Sequence, residues 1–246
     1  MDAMILAAGL GTRLRPLTDS MPKALVEVGG EPLLVHVARR LVSAGATRLI
    51  VNVHAFPEQI EAVIEAHAGF GVEVRVSHER GRPLETGGAL LAAREHFRGE
   101  APFFLHNADV WSDLSLEGLY AAHAASGALA TLAVMGRETS RFLRFDGAGL
   151  CGWENRATGA CEQVRAAVGE VRALPFCGVH VISPEFLGRI TETGAFSIVR
   201  TYLRLSAEGA HIRPYSVDGA TWVDIGRPEA LARARALAGE AGPASA

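Results

Sequence analysis

Two glycines, a hydroxyl and two cations crowd into Gly9-Leu10-Gly11-Thr12-Arg13-Leu14-Arg15, and Pro22-Lys23-Ala24-Leu25 adds a third cation just beyond. The run directly follows an apolar segment ending at Ala8. The glycines therefore allow the backbone to turn and to approach a ligand at the carboxyl edge of a sheet. A turn surrounded by a threonine and guanidinium and ammonium groups suits a polyphosphate. Two familiar phosphate loops do not fit. A dinucleotide fingerprint wants a third glycine where Leu14 stands, and a Walker loop wants glycine immediately before the lysine, where Pro22 stands. Lys23 is the only lysine among the 24 Lys and Arg residues. Compositional drift toward Arg and Ala explains the others, and a lone lysine marks a position where a compact ammonium serves better than a planar guanidinium.

Two carboxylates stand at the ends of apolar runs. His106-Asn107-Ala108-Asp109 follows a short buried-strand pattern. An aspartate there often only caps the next turn, but in a doubly wound sheet it is also where ligands bind. Thr221-Trp222-Val223-Asp224-Ile225-Gly226-Arg227-Pro228-Glu229 places the second. On its own this segment is a strand, a turn and a helix opened by proline. A third cluster, Glu79 to Gly88, combines two acids, two arginines and a glycine pair. Glu85-Thr86-Gly87-Gly88 within it reads equally well as a plain helix start.

The loop and its continuation, GLGTRLRPLT followed by PKALVEVGGEPLL, resemble the signature of the sugar-1-phosphate nucleotidylyltransferases over more than twenty residues. The resemblance implies that Ala8, Gly9, Gly11, Thr12, Arg13 and Lys23 wrap the triphosphate of a nucleotide, with Arg15 left as a structural cation. It implies that Asp109 chelates Mg²⁺, although Ala108 stands where the family most often has glycine. The second metal ligand would be Asp224, in a match to the family's W-x-D-[IV]-G-x-P segment. Mg²⁺ takes one or two carboxylates beside phosphate oxygens and water, so this pair suffices. Glu79, Gly87 and Gly88 fall where family members contact base and ribose; whether Glu79 reads a guanine edge or stays in solvent is left open. Asn107, Glu154 and Gly178 match acceptor-binding positions, with Asn155 where lysine is common. The implied reaction condenses a nucleoside triphosphate with a sugar 1-phosphate to give a nucleotide sugar and pyrophosphate, with Arg13, Lys23 and Asp109 as its catalytic residues. Within the family, the compact length and the W-V-D-I-G segment resemble the N-acetylmuramate 1-phosphate uridylyltransferases and short mannose-1-phosphate guanylyltransferase-like members. A cytidylyltransferase for a phosphorylated amino-alcohol, and a non-catalytic nucleotide-sugar sensor, are the alternatives. Base and sugar stay open.

These residues require a scaffold, and the hydropathy pattern supplies one. Short apolar runs predict strands over Met4–Ala8, Leu49–Val53, Val72–Val76, Phe103–Leu105 and Leu129–Met135. Helix-period segments over Pro32–Ala44, Pro57–Ala66 and Leu116–Ala125 alternate with them, and Gly87-Gly88 open a short helix through His96. Beyond about residue 140 a hairpin is expected around Asp146-Gly147-Ala148-Gly149, then a strand at Val179–Ile182 followed by a helix from Pro184. A helix at Ile198–Ala207, strands at His211–Ser216 and Thr221–Val223, and a last helix at Pro228–Leu237 complete the series. The expectation is an α/β fold: a Rossmann-like, mostly parallel sheet with helices on both faces, plus a smaller β-rich sugar-binding part. Residues 1–238 would form a single nucleotidyltransferase domain. About 1–140 would bind nucleotide, about 141–238 would bind acceptor and supply the second metal ligand, and 239–246 would be a flexible tail.

The bulk numbers agree. With 246 residues, 49% hydrophobic and a formal charge of −3, the chain reads as an ordinary globular protein, not a disordered one. The charge balance excludes a nucleic-acid binder that relies on a broad basic surface. No apolar run is long enough to span a bilayer, and Met1-Asp2-Ala3 lacks a basic leader, so a cytoplasmic protein without membrane partners is expected. Cys151, Cys161 and Cys177 form no CxxC pair and fit neither a disulfide framework nor a zinc site. A homo-oligomer is allowed for.

Overall fold

The computed structural model describes residues 1–239. Apart from Gly239, the tail expected at 239–246 lies outside the described residues. Strand Asp2–Leu6 pairs in parallel with Arg48–Val53, and that strand pairs in parallel with Glu73–His78. Ile212–Ser216 pairs in parallel with Ala130–Val134, whereas Phe176–Ile182 runs antiparallel to it. All belong to a seven-stranded sheet of order Ile212–Ser216, Ala130–Val134, Phe176–Ile182, Phe103–Asn107, Asp2–Leu6, Arg48–Val53, Glu73–His78. This is the expected α/β class with a mostly parallel sheet. The β-rich part is a separate antiparallel sheet ordered Ala160–Gln163, Gly149–Asn155, Arg141–Asp146, Arg172–Leu174. The chain divides into two compact units. One comprises Met1–Pro83, His106–Leu114 and the chain from Thr221 onward, and the other comprises Leu84–Leu105 and Ser115–Ala220.

In the first unit, helix Leu33–Ser43 buries Leu33, Leu34, Val37, Ala38 and Leu41 on one stripe. It stops at Gly45, whose positive φ is open to glycine at no steric cost, with Gly45 N donating to Val42 O and Ala46 N to Leu41 O. A cluster of Leu14, Val26, Val28, Leu33, Val223, Ile225, Leu231 and Ala234 ties the glycine-loop segment to the Asp224 strand and the last helix. Each of these larger aliphatic side chains contributes about 1.5–3 kcal/mol when fully buried. Truncating Ile225, fully buried between Asp224 and Gly226, would cost about 2–5 kcal/mol and loosen both.

The structure departs from the sequence expectation in two places that matter. Val110–Ser112 and Trp222–Asp224 form a short antiparallel ladder, the first strand unforeseen because three residues carry no periodicity. The glycine pair does not open the helix that follows: the helix runs Glu85–Ala92, so Gly87 and Gly88 lie inside its first turn, and Arg94–His96 is a separate 3₁₀ turn.

Candidate active site

The loop after Asp2–Leu6 is built by short 3₁₀ turns, Thr12–Leu14, Leu17–Asp19 and Lys23–Leu25. Gly11 adopts a left-handed conformation at φ 63°, and a β-carbon there would stand 2.9 Å from Thr18 Cγ2 and 3.1 Å from Lys23 Cβ. Backbone geometry and packing both demand glycine. Thr18 Oγ1 donates to Gly11 O at 2.8 Å, closing the loop on itself. Gly9 differs: a β-carbon on it would meet nothing within 4 Å, so no protein atom requires its absence. That open space is what close approach of a ligand needs. Arg15 is exposed and pairs with Asp19 at 3.1 Å.

The loop's entry is anchored from below. Asn52, buried in the adjacent parallel strand, accepts from Ala7 N at 2.8 Å and donates to Glu79 Oε1 at 2.6 Å. Glu79 N donates to Val53 O at 2.8 Å. The carboxylate of Glu79 is thus not a solvated surface group; the residue is buried at 6% exposure. Ala108 N donates to Leu6 O at 3.0 Å, which sets Asn107 and Asp109 beside the same loop.

Asp109 and Asp224, far apart in sequence, are brought together by the short ladder. Asp224 is in register with Val110, and Ile225 N donates to Asp109 O at 2.9 Å. Arg40 fixes the ladder's far end through Ser112 Oγ at 3.1 Å and a contact with Leu114 O. Lys23 reaches both acids. Its ammonium, on a side chain 9% exposed, is hydrogen-bonded to Asp109 Oδ2 and lies 3.9 Å from Asp224 Oδ1. One cation therefore already sits where two carboxylate oxygens converge. Arg13 lies over Gly226, and with Asp224, Gly226, Arg227, Glu229 and Ala230 it lines a cavity of about 420 Å³. Thr12 precedes Arg13 in the same 3₁₀ turn.

The remaining expected site residues belong to the second unit. Gly87 N and Gly88 N both donate to Phe196 O, at 2.9 and 3.2 Å. A β-carbon on Gly87 would fall 2.3 Å from the Phe196 ring, and one on Gly88 2.4 Å from Gly194 O. Both glycines are explained by this packing, and their N–H groups are already committed. Glu154 sits between Arg156 and Arg144, at 2.7 and 3.7 Å. Gly178, at φ 74°, falls within the irregular stretch where Phe176–Ile182 shifts register. Cys177 is buried, and burial pushes its thiol up to about 11, which favours the protonated form near neutral pH. Thr18, Asn52 and Gly226 went unmarked as site residues. Thr18 and Gly226 were inside the quoted motifs, whereas nothing near Asn52 in sequence points to a loop 45 residues away.

A glycine turn, an arginine with no ion pair among the described residues, and two carboxylates sharing one cation are parts that suit polyphosphate chemistry in an α/β protein. Comparison with known proteins narrows that class. Residues 2–145 match the sequence profile of the nucleotidyl transferase family. The chain is 36% identical over 244 residues to an N-acetylmuramate alpha-1-phosphate uridylyltransferase of Caulobacter vibrioides, covering 97% of each chain. It is 32% identical over 233 residues to a mannose-1-phosphate guanyltransferase of Schizosaccharomyces pombe, covering 93% of this chain but 62% of that protein. The structure of the inositol-1-phosphate CTP transferase from T. maritima superposes with a TM-score of 0.77 at 18% identity, over 97% of this chain and 95% of that one. The chain belongs to the nucleotidyl transferase family. Among the described residues no helix is long and apolar enough to cross a membrane.

Proposed function

We propose that the protein transfers a nucleotidyl group from a nucleoside triphosphate to a sugar 1-phosphate and releases pyrophosphate. The observation that carries this reading is the meeting of Lys23, Asp109 and Asp224 at one point beside the phosphate loop. An oxygen of the sugar phosphate attacks the α-phosphorus, the bond to the bridging α–β oxygen breaks, and pyrophosphate leaves with that electron pair. A phosphate monoester has a second pKa of about 6, so the attacking oxygen is already largely anionic at pH 7 and no general base is needed. The protein's work is alignment of anions and neutralisation of their charge. Gly9 and Gly11 let the loop backbone close on the triphosphate, with Ala8 and Thr12 beside it. Lys23 approaches the reacting phosphates as a point charge, and Arg13 holds the leaving pyrophosphate.

Asp109 and Asp224 fit a divalent cation, because their oxygens already converge on a single positive charge. An all-oxygen pair completed by phosphate and water suits Mg²⁺. When bound there, the ion would neutralise charge on the reacting phosphates. Glu79, fixed by Asn52, offers an acceptor to the N–H on the pairing edge of uracil or guanine. Gly87 and Gly88 would touch nucleotide through carbonyl or Cα atoms, their N–H groups being occupied. Asn107, Glu154 and Gly178 would serve the acceptor. Residues 1–238 would act as one catalytic domain, with nucleotide held by about 1–140 and acceptor by about 141–238.

For substrate, UTP with N-acetylmuramate 1-phosphate is the pair we favour, since the Caulobacter relative matches along its full length while the guanyltransferase extends well beyond the match. Pyrophosphate release measured with four nucleoside triphosphates against a panel of sugar 1-phosphates, with and without Mg²⁺, tests this. The expected outcome is Mg²⁺-dependent turnover with a sugar 1-phosphate. Turnover confined to a phosphorylated amino-alcohol with CTP, or nucleotide binding without turnover on any acceptor, would overturn it.

A further inference from the structure

Gly226 is buried, although Arg227 after it and Asp224 two residues before it are exposed. Its backbone does not require glycine, since its φ lies outside the positive region that seventeen other glycines occupy. Gly226 N donates to Asp224 O at 2.8 Å, an interaction any residue but proline can make. What a side chain would meet is Arg13. A β-carbon on Gly226 would stand 2.9 Å from Arg13 Nη2, 3.4 Å from its Cζ and 3.3 Å from Asp224 Oδ1. The cover over this glycine is thus the guanidinium of the loop arginine. Arg13 makes no hydrogen bond or ion pair among the described residues, so nothing but this surface and its own loop holds the guanidinium beside the cavity.

We infer that Gly226 is a positioning residue for Arg13: by carrying no side chain it leaves the seat on which the guanidinium lies, next to Asp224 and facing the cavity shared with Arg227. The inference rests on the nucleotidyl-transfer reading for its chemistry, in which Arg13 binds the departing pyrophosphate. The obstructing atoms are the far end of a flexible side chain, so an alanine displaces Arg13 and leaves the fold alone. The main displacement is then that of Arg13: Asp224 Oδ1, at 3.3 Å, yields by a few tenths of an ångström, and the acceptor contacts are untouched.

A double-mutant cycle tests this with Mg²⁺ and inorganic pyrophosphate as the probe, by calorimetry on G226A, R13A and G226A/R13A. Thermal midpoints should match the wild type for G226A. Losing the oriented charge-assisted hydrogen bonds of one guanidinium should weaken pyrophosphate binding about tenfold in G226A and at least as much in R13A. The double variant should bind no worse than R13A alone. In turnover assays G226A should raise the KM for the nucleoside triphosphate and leave that for the sugar 1-phosphate unchanged. Wild-type pyrophosphate affinity in G226A, or a tenfold loss that persists in the R13A background, overturns the seat, as does a wild type that does not bind pyrophosphate. Non-additive binding in a protein that transfers no nucleotide would uphold the seat and sink only the proposed reaction.

Discussion

Replacing Lys23 with methionine keeps the length of the side chain and deletes the charge that Asp109 and Asp224 share. At an effective dielectric of about 20, unit charges roughly 4 Å apart interact by about 4 kcal/mol. Lys23 is 9% exposed, but Asp224 is 51% exposed and Asp109 28%. Solvent screening and the cost of burying the ammonium reduce the net contribution to about 1–2 kcal/mol. The metal-free variant should therefore be less stable by that amount, because two carboxylates face one another without a cation. A divalent ion then enters a site no longer occupied by the protein's own cation. The same 1–2 kcal/mol should reappear as metal affinity, about five- to thirtyfold tighter binding in K23M. Calorimetric titration with Mg²⁺, or electron paramagnetic resonance with Mn²⁺, measures the affinity; denaturant unfolding with and without Mg²⁺ measures the stability. Turnover should nevertheless collapse, since the ammonium no longer neutralises the reacting phosphates. Tighter metal binding with lost activity separates a shared-cation role from simple structural damage. Equal metal affinity in the two proteins, or retained turnover in K23M, would refute the reasoning.

Further outcomes follow from the same geometry. Asp109→Asn should still fold, with about 1–2 kcal/mol less stability because Lys23 loses its charged partner, and should lose at least about a hundredfold in pyrophosphate release if Asp109 is the metal ligand proposed above. Gly11→Ala, forced into a left-handed conformation against Thr18 and Lys23, should cost at least about 1–2 kcal/mol in thermal or denaturant unfolding; Gly9→Ala should unfold like the wild type yet raise the KM for the nucleotide. Glu79→Gln should leave pyrophosphate affinity intact and narrow the preference among UTP, GTP and CTP, read as kcat/KM ratios. His123 is held down to about 4 from an ordinary value of 6.5, chiefly by burial and next by the nearby Arg213. Ser183 Oγ spends its proton on Ala128 O, so His123 Nε2–H donates to Ser183 and Nδ1 accepts from Thr131, the arrangement of a neutral ring. With the folded value depressed, the unfolded chain takes the proton first as pH falls. The His123 contribution should be full above pH 6.5 and decline toward pH 4 by at most about 1.4 kcal/mol per pH unit. His106, also held down to about 4 by burial, contributes a decline over the same range, so His123→Gln should reduce the slope in urea unfolding without abolishing it.

What could be read from sequence tracks how local each determinant is. Helices Pro57–Ala66, Ile198–Ala207 and Pro228–Leu237 were legible end to end, because proline starts and apolar stripes are near-neighbour signals. The glycine loop was legible as a loop for the same reason: its glycines, cations and Thr18 lie within one short stretch. Asp109 and Asp224 could be seen as strand-end acids, but their convergence depends on a three-residue ladder with no pattern of its own, which the resemblance alone linked. Gly87 and Gly88 illustrate the opposite case. A glycine pair ahead of an apolar segment reads as a ligand-binding turn, yet what excludes their side chains is Phe196 and Gly194, more than a hundred residues on. Asn52 left no trace, since one asparagine in an apolar run says nothing of the Ala7 amide and Glu79 carboxylate it bridges. Gly226 falls between these cases. Its place in the motif was visible, but the reason was not, because a glycine that frees the backbone and a glycine that makes room for a distant arginine are the same letter. Only the position of the Arg13 guanidinium distinguishes them, and that is set by a loop more than two hundred residues earlier in the chain.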